Sequence, residues 1–193
     1  MLKLLKIMLP FGEVSKLNHS VMPVEVSKIA FGGGCHWCTE AVFQSIIGVE
    51  KVEQGYVAST TCNRELSEAI IVHYNGKCVT LSTLIEIHLL THNSKSDHSM
   101  RKKHRSAIYT FSKTQQNSVT DLLKGFQLKF HNKLITKVLP FSYFKPSREA
   151  LKNYYFKNPE KPFCENYINP KLKLILQQFS EHVNSAKLSH LKA

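Results

Sequence analysis

An α/β or α+β fold follows from two features of the amino-acid sequence. Short β-rich runs alternate with segments whose apolar residues recur at three- and four-residue spacing, so strands and helices interleave along the chain. Apolar residues fill 42% of 193 positions, enough for one domain to close a core without disulfide staples. The chain shows no repeat and no low-complexity tract, and no apolar run nears the roughly 20 residues that cross a bilayer.

In chain order, residues 1–26 read as a leader. Met1–Pro10 mixes lysine with leucine as a short targeting segment does, but Lys6 breaks the apolar stretch and no small-residue cleavage site follows. The expectation is an uncleaved, poorly ordered leader, with residues 27–193 as a single domain. Lys28–Phe31 is a short strand. The helix after Trp37 carries Val42, Phe43, Ile46 and Ile47 on one face and stops at Gly48. Val49–Val57 alternates as a half-buried strand does, and Ser59–Arg64 is a polar loop. Ala69–Tyr74 is β-rich and ends at the turn Asn75-Gly76. Thr80 or Ser82 caps a helix with Leu84, Ile85, His88 and Leu89 on its apolar face. The polar stretch His92–Arg105 lacks periodicity and is long enough to be functional or partly mobile. Ser106–Phe111 is a strand, and Ser112 or Thr114 caps a helix running to Phe130. Leu134–Leu139 is a strand closed by Pro140, and Ser147–Phe156 is a helix. A proline-bracketed segment, Asn158–Cys164, precedes an amphipathic helix from Pro170 through Leu172, Ile175, Phe179 and Val183.

The formal charge of +12 would suit nucleic acid or an acidic surface. Apart from Arg101-Lys102-Lys103-His104-Arg105 and the C-terminal lysines, however, the basic residues are scattered and no nucleic-acid motif accompanies them. A solvated basic face follows, with neither a nucleic-acid nor a membrane partner. Five cysteines, an odd number without a secretory signal, point to a reducing compartment and thiol chemistry, hence to a cytoplasmic protein.

Chemistry concentrates in Gly32-Gly33-Gly34-Cys35-His36-Trp37-Cys38. A glycine-rich turn between strand and helix lets the backbone approach a ligand closely. It leaves Cys35 at the positive end of a helix, where unpaired N–H groups favour a thiolate, so Cys35 is a candidate nucleophile. Cys35 and Cys38 form a C-x-x-C. A zinc site would need a second such pair, and Cys62, Cys78 and Cys164 stand singly. A thioredoxin-type redox motif, with a strand before it and a helix after, fits equally. Two cysteines packed in a core is the plain alternative, and the glycines beside Trp37 weaken it by making a shallow apolar recess.

Phe31-Gly-Gly-Gly-Cys-His-Trp-Cys-Thr-Glu40 resembles the active-site signature of the A-class peptide methionine sulfoxide reductases, usually G-C-F-W. The similarity continues through Gly48-Val49-Glu50, Gly55-Tyr56, Ser67-Glu68-Ala69, Arg105-Ser106-Ala107-Ile108-Tyr109 and Lys157-Asn158-Pro159 to Cys164. It spans about residues 27–164 in family order. The resemblance implies a two-layer sandwich with a mixed sheet and a ferredoxin-like core, catalytic over 27–193, with a C-terminal segment that carries a resolving cysteine.

It also implies roles. Cys35 attacks the sulfoxide sulfur, giving methionine and a sulfenic acid, and a second cysteine condenses with that acid to a disulfide that thioredoxin reduces. The oxygen leaves as water, so a proton donor is needed. Glu68 matches the family's acid, at the start of a strand where desolvation would raise its pKa. Trp37 and His36 would line the pocket for the substrate methyl group. Cys164 matches the distal resolving cysteine on a segment free to swing, which a helix such as the one holding Cys38 is not. Cys38 is the second candidate, Cys62 a weaker third, and Cys78 structural.

Besides His36, which replaces the usual phenylalanine and makes the pocket more polar, the sequence departs from the family in three further places. The segment between Tyr56 and Glu68 is short and lacks the tyrosine that helps bind the sulfoxide oxygen. His104 stands for a second tyrosine, and can donate to that oxygen while also carrying charge. The family's aspartate before it has no clean counterpart in Asp97 or Ser99. The resulting expectation is a monomeric methionine-S-sulfoxide reductase acting on free residues or on oxidised proteins and peptides. It would use no metal or organic cofactor, only an external thiol reductant, thioredoxin or dithiothreitol. A C-x-x-C disulfide oxidoreductase and a basic binding module are the alternatives.

Overall fold

A computed structural model describes residues 26–60 and 63–191. The expected leader up to residue 25 and Cys62 lie outside them. Among the described residues five strands form one sheet: β1 (Val26–Gly32), β2 (Val49–Ser59), β3 (Ser67–Asn75), β4 (Ala107–Thr110) and β5 (Lys137–Pro146). Their order is β1-β3-β2-β5-β4, and β4 returns to pair with β1. All pairs are antiparallel except β4 with β5. The mixed α/β character and the single mixed sheet are therefore as the sequence predicts, and that sheet closes into a barrel.

The closure has a local cause. Residues 137–140 of β5 pair with β4, and residues 141–146 pair with β2, so one strand bridges the two edges. Pro140 lies at the handover, where the register shifts opposite Ala58/Ser59 and Ser142 is the extra residue of a bulge in β5. The strand expected to stop at Pro140 instead runs on to Pro146, because a proline is tolerated where the ladder is already broken.

Among the described residues five α-helices accompany the sheet: α1 (His36–Gln44), α2 (Leu81–Thr91), α3 (Lys113–Lys129), α4 (Tyr154–Lys157) and α5 (Asn169–Gln178). The caps are Thr80, whose Oγ1 accepts the Thr83 N–H at 3.1 Å, and Ser112, whose Oγ accepts the Gln115 N–H at 3.1 Å. Gly48 follows α1 at φ +86°, and a Cβ there would also strike Cys78, so a side chain would be strained and crowded.

Three expected helices are shorter than their patterns, the first ending at Gln44, ahead of Ile46 and Ile47. Ser147–Phe156 breaks into a 3₁₀ turn, Glu149–Leu151, and α4, because Asn153 between them takes φ 52°, a left-handed conformation. Its backbone N–H thereby reaches buried Glu40 Oε1 at 3.0 Å. The last helix ends at Gln178, and Val183 forms an isolated bridge with Ile46.

Most strands are buried on both faces. Ile29, Phe31, Ile70, Val72 and Ile108 face the helices, while Ala30, Ala69, Ala107, Ile71 and Tyr109 fill the barrel. The three alanines leave room for the Tyr109 ring, a small-against-large packing typical of narrow barrels. This double burial explains why β1, β3 and β4 read as continuous apolar runs. On the helix side Phe31 stacks on Phe43 of α1 at 4.8 Å. Strand parity puts Glu68 and its cross-strand partner Tyr56 on that same side, beneath α1.

Candidate active site

Cys35 is the N-cap of α1, and its carbonyl accepts the N–H groups of Cys38 at 3.1 Å and Thr39 at 3.2 Å. The loop that presents it is held from below. Arg101 Nη1 donates to the Gly33 carbonyl at 3.0 Å, and a Cβ at Gly33 would lie 2.4 Å from the His92 ring. Only glycine lets the loop sit this close to the imidazole. His92 is itself fixed by Nδ1 against the His88 carbonyl at 2.5 Å and Nε2 against Ser106 Oγ at 2.8 Å.

The Cys35 thiol is lowered below the usual cysteine range. A hydrogen bond from the Cys38 thiol is the largest cause, and the Trp37 N–H assists; burial and the charge of Glu68 oppose. Cys38 is pushed up, since its proton is held by Cys35 and its surroundings are buried. The pair therefore works as a donor and an acceptor, with Cys35 the sulfur that ionises.

One wall of the site is polar. Glu68 is buried, only 5% exposed, and its Oε2 accepts the His36 backbone N–H at 3.1 Å. His36 Nδ1 lies 3.6 Å and His104 Nε2 3.4 Å from the same oxygen, and Lys103 Nζ lies 3.2 Å from Oε1. Burial pulls both imidazoles below the usual histidine range, with Glu68 partly offsetting this. Lys103 is raised by its contact with Glu68. The Tyr56 ring meets His36 edge-on at 5.4 Å.

The other wall is aromatic. Trp37 stacks on Tyr154 at 4.1 Å with the planes 7° apart. Phe163 meets the Trp37 face edge-on at 5.5 Å. Next to Phe163, Cys164 opens a π-type turn, Cys164–Ile168. Its thiol is fully buried, 3.5 Å from the Asn158 carbonyl, and burial raises its pKa. The expected mobile loop is thus a packed turn continuous with α5. Among the described residues no disulfide joins the cysteines: Cys35, Cys38, Cys78 and Cys164 are free.

Against known proteins, the profile of the family described as peptide methionine sulfoxide reductase matches residues 27–183. The chain belongs to this family. A peptide methionine sulfoxide reductase MsrA from Trichodesmium erythraeum (strain IMS101) is 29% identical over 173 residues, covering 81% of this chain and 98% of the relative. Among solved structures, Mxr1 from Saccharomyces cerevisiae in reduced form superposes with a TM-score of 0.66 at 21% identity, over 76% of this chain and 93% of that one. Mxr1 in complex with Trx2 superposes with a TM-score of 0.54 at 20% identity, over 66% and 85% respectively.

The reductase signature thus gathers Cys35, His36, Trp37, Glu68 and His104 at one barrel rim. His36 lies against Glu68 at 3.6 Å and against the Tyr56 ring at 5.4 Å. Asp97 is exposed and acts electrostatically on Arg101. Sequence reasoning overlooked Lys103, Tyr154 and Phe163, and gave Tyr56 no role. The Lys103 signal was hidden in a basic run, whereas Tyr56 follows from pairing Gly55 with Ala69.

Proposed function

We propose that Cys35 reduces methionine-S-sulfoxide, free or within peptides and proteins. The thiolate sulfur bonds to the sulfoxide sulfur while a proton from the Glu68–His104 pair reaches the sulfoxide oxygen. The oxygen then passes to Cys35 as a sulfenic acid, and methionine leaves as the thioether. Substrate sulfur gains two electrons and Cys35 loses two. A second thiol attacks the sulfenic acid, forming a disulfide and releasing water, and an external dithiol restores both thiols. Trp37, backed by Tyr154, receives the substrate methyl group. His104 supplies the donor that a tyrosine provides in the family signature.

The observation that carries this reading is the buried Glu68. It is close enough to influence Cys35 electrostatically, yet bounded by three nitrogen-bearing side chains and a backbone N–H. Sulfoxide reduction needs a proton delivered to the departing oxygen, and Glu68 is the buried carboxyl placed beside Cys35 and His104 to relay it. The test is turnover of dabsylated methionine sulfoxide of each epimer with dithiothreitol, beside Cys35→Ser. Wild type should reduce the S epimer and the variant should not. Equal turnover in both proteins, or none in wild type, rejects the assignment.

For resolution we favour Cys164, with thioredoxin as the physiological reductant; the complex of yeast Mxr1 with Trx2 supports that partner class. The turn at 164–168 must then open, since the thiol is buried. The Cys38 hydrogen bond to Cys35 favours a second reading, in which Cys38 resolves directly. Cys164→Ser should keep dithiothreitol-driven activity and lose most thioredoxin-driven activity. The same split in Cys38→Ser, but not in Cys164→Ser, would select Cys38.

A further inference from the structure

The barrel rim that carries the site continues into a second cleft. Arg101, Lys102, Arg105 and Lys137 line it, Ile135 gives it an apolar patch, and Glu65 and Asp97 contribute its carboxylates. Segment 101–106 separates the cleft from the catalytic cysteine, because Lys103 and His104 of the same segment contact Glu68. Strand register keeps the two regions adjacent. Gly32, just before the Cys35 loop, pairs with Ala107, and Ala107 pairs with Lys137.

The cations differ in their duties. Arg101 is committed to backbone carbonyls, of Gly33 at 3.0 Å, His104 at 3.1 Å and Ser96 at 2.9 Å. Arg105 reaches the Tyr109 hydroxyl at 3.2 Å and the Glu65 carbonyl at 3.1 Å. Both are fixed positive charges with no side-chain carboxylate hydrogen-bonded to them among the described residues. Lys102 and Lys137 are exposed, and among the described residues neither takes part in an ion pair. With the chain at +12 overall, the cleft is a positive approach to the site.

We propose that this cleft docks an acidic peptide segment, so that the enzyme prefers methionine sulfoxide flanked by aspartate or glutamate. The proposal rests on the reductase reading above and adds the substrate class. Spaced carboxylates of a peptide can meet the two free lysines and pass between Glu65 and Asp97. A continuous phosphate backbone would be repelled by those carboxylates, and among the described residues no aromatic ring lines the cleft to stack a base.

The test compares kcat/KM for three sulfoxide peptides alike but for Glu, Gln or Lys flanks, and for free methionine sulfoxide. Binding of the Glu and Gln peptides carrying methionine is read by fluorescence anisotropy. Wild type should favour the Glu over the Lys peptide by about tenfold at low ionic strength, the sum of a few screened charge contacts, and lose that preference at high salt. Lys102→Glu/Lys137→Glu should reverse the order, and Lys102→Gln/Lys137→Gln should flatten it. Equal rates for all flanks, a charge-reversal variant that slows every peptide alike, or tighter binding of a single-stranded oligonucleotide than of the Glu peptide would each overturn the docking proposal. Free methionine sulfoxide separates the two claims. Its turnover without charge preference rejects docking alone. Failure to turn over either free methionine sulfoxide or any sulfoxide peptide rejects the reductase reading, and the anisotropy comparison then decides docking by itself.

Discussion

The two walls around Cys35 are built differently. The polar wall takes Glu68 from β3, Tyr56 from β2, His36 from α1, and Lys103 and His104 from the segment before β4. These pieces meet because strand register leaves them no other place: Tyr56 pairs with Glu68, and the Glu68 N–H donates to the Lys103 carbonyl at 2.9 Å. The aromatic wall takes Tyr154 from α4 and Phe163 from the residue before the Cys164 turn, both after the barrel has closed, and their rings pack on Trp37 with no hydrogen bond between the rings. Hydrogen bonds between strands fix direction as well as distance, whereas stacked rings can slide at little cost. The rigid side is suited to proton transfer, which is sensitive to distance. The softer side is suited to a variable substrate and to a turn that must release Cys164.

The comparison breaks most sharply at Glu68. Glu68→Gln keeps the volume and one acceptor oxygen but cannot deliver a proton, so kcat should fall about 100-fold or more, the usual span for a lost general acid. KM should change little. Single-turnover measurement of methionine release at neutral pH reads this directly. A loss confined to KM would mean that Glu68 only binds, with His104 the remaining proton donor.

Trp37→Ala should do the reverse. Removing the ring takes away the face on which the methyl group rests and unseats Tyr154, so KM should rise by about tenfold with a smaller loss in kcat. Equal losses in kcat for Trp37→Ala and Glu68→Gln would erase the distinction between the walls.

How much of this was legible in sequence follows the same division. Cys35, Glu68 and His104 lie in runs with local signatures: a glycine turn before a helix, a carboxylate opening an apolar strand, and Arg-Ser-Ala leading into β4. The barrel closure was not legible, because it depends on β5 holding two partners, and Pro140 reads locally as a stop. Tyr154 was hidden because Asn153 enters the left-handed region to donate to Glu40, whose other oxygen accepts from Gln54 Nε2 at 2.7 Å, a requirement set by tertiary contact. Cys164 read as a loop residue because prolines flank it, although Phe163 and Ile168 pack its turn into the core.

A smaller effect is expected at Cys38, which touches neither wall. Its thiol proton stabilises the Cys35 thiolate. In Cys38→Ala the Cys35 pKa should rise, so iodoacetamide alkylation below neutral pH should slow several-fold while the rate above pH 9 converges on wild type. A parallel drop at every pH would indicate blocked access, and the hydrogen bond would lose its assigned role.

The last test concerns the support beneath both walls. Nδ1 of His92 faces the His88 carbonyl, so Nδ1 carries the proton and Nε2 accepts the Ser106 hydroxyl; Ser106 in turn lies 2.8 Å from Thr136 Oγ1. A second proton on this imidazole would have to enter a buried site beside Arg101 and Lys171, and burial with those charges lowers its pKa to about 4. His88, stacked on it at 4.1 Å, is depressed in the same direction. The unfolded chain binds that proton near pH 6.5, the folded chain only near 4, so stability is full above about 6.5 and declines as the pH falls through 4. For His92 alone the decline is on the order of 3 kcal/mol. His92→Gln keeps a donor and an acceptor but removes the titration. Its urea-unfolding free energy should therefore fall less than wild type between pH 7 and pH 4, even if it starts lower at pH 7. If the two proteins lose stability in parallel across that range, His92 does not carry the acid sensitivity of the Gly33–Cys35 support.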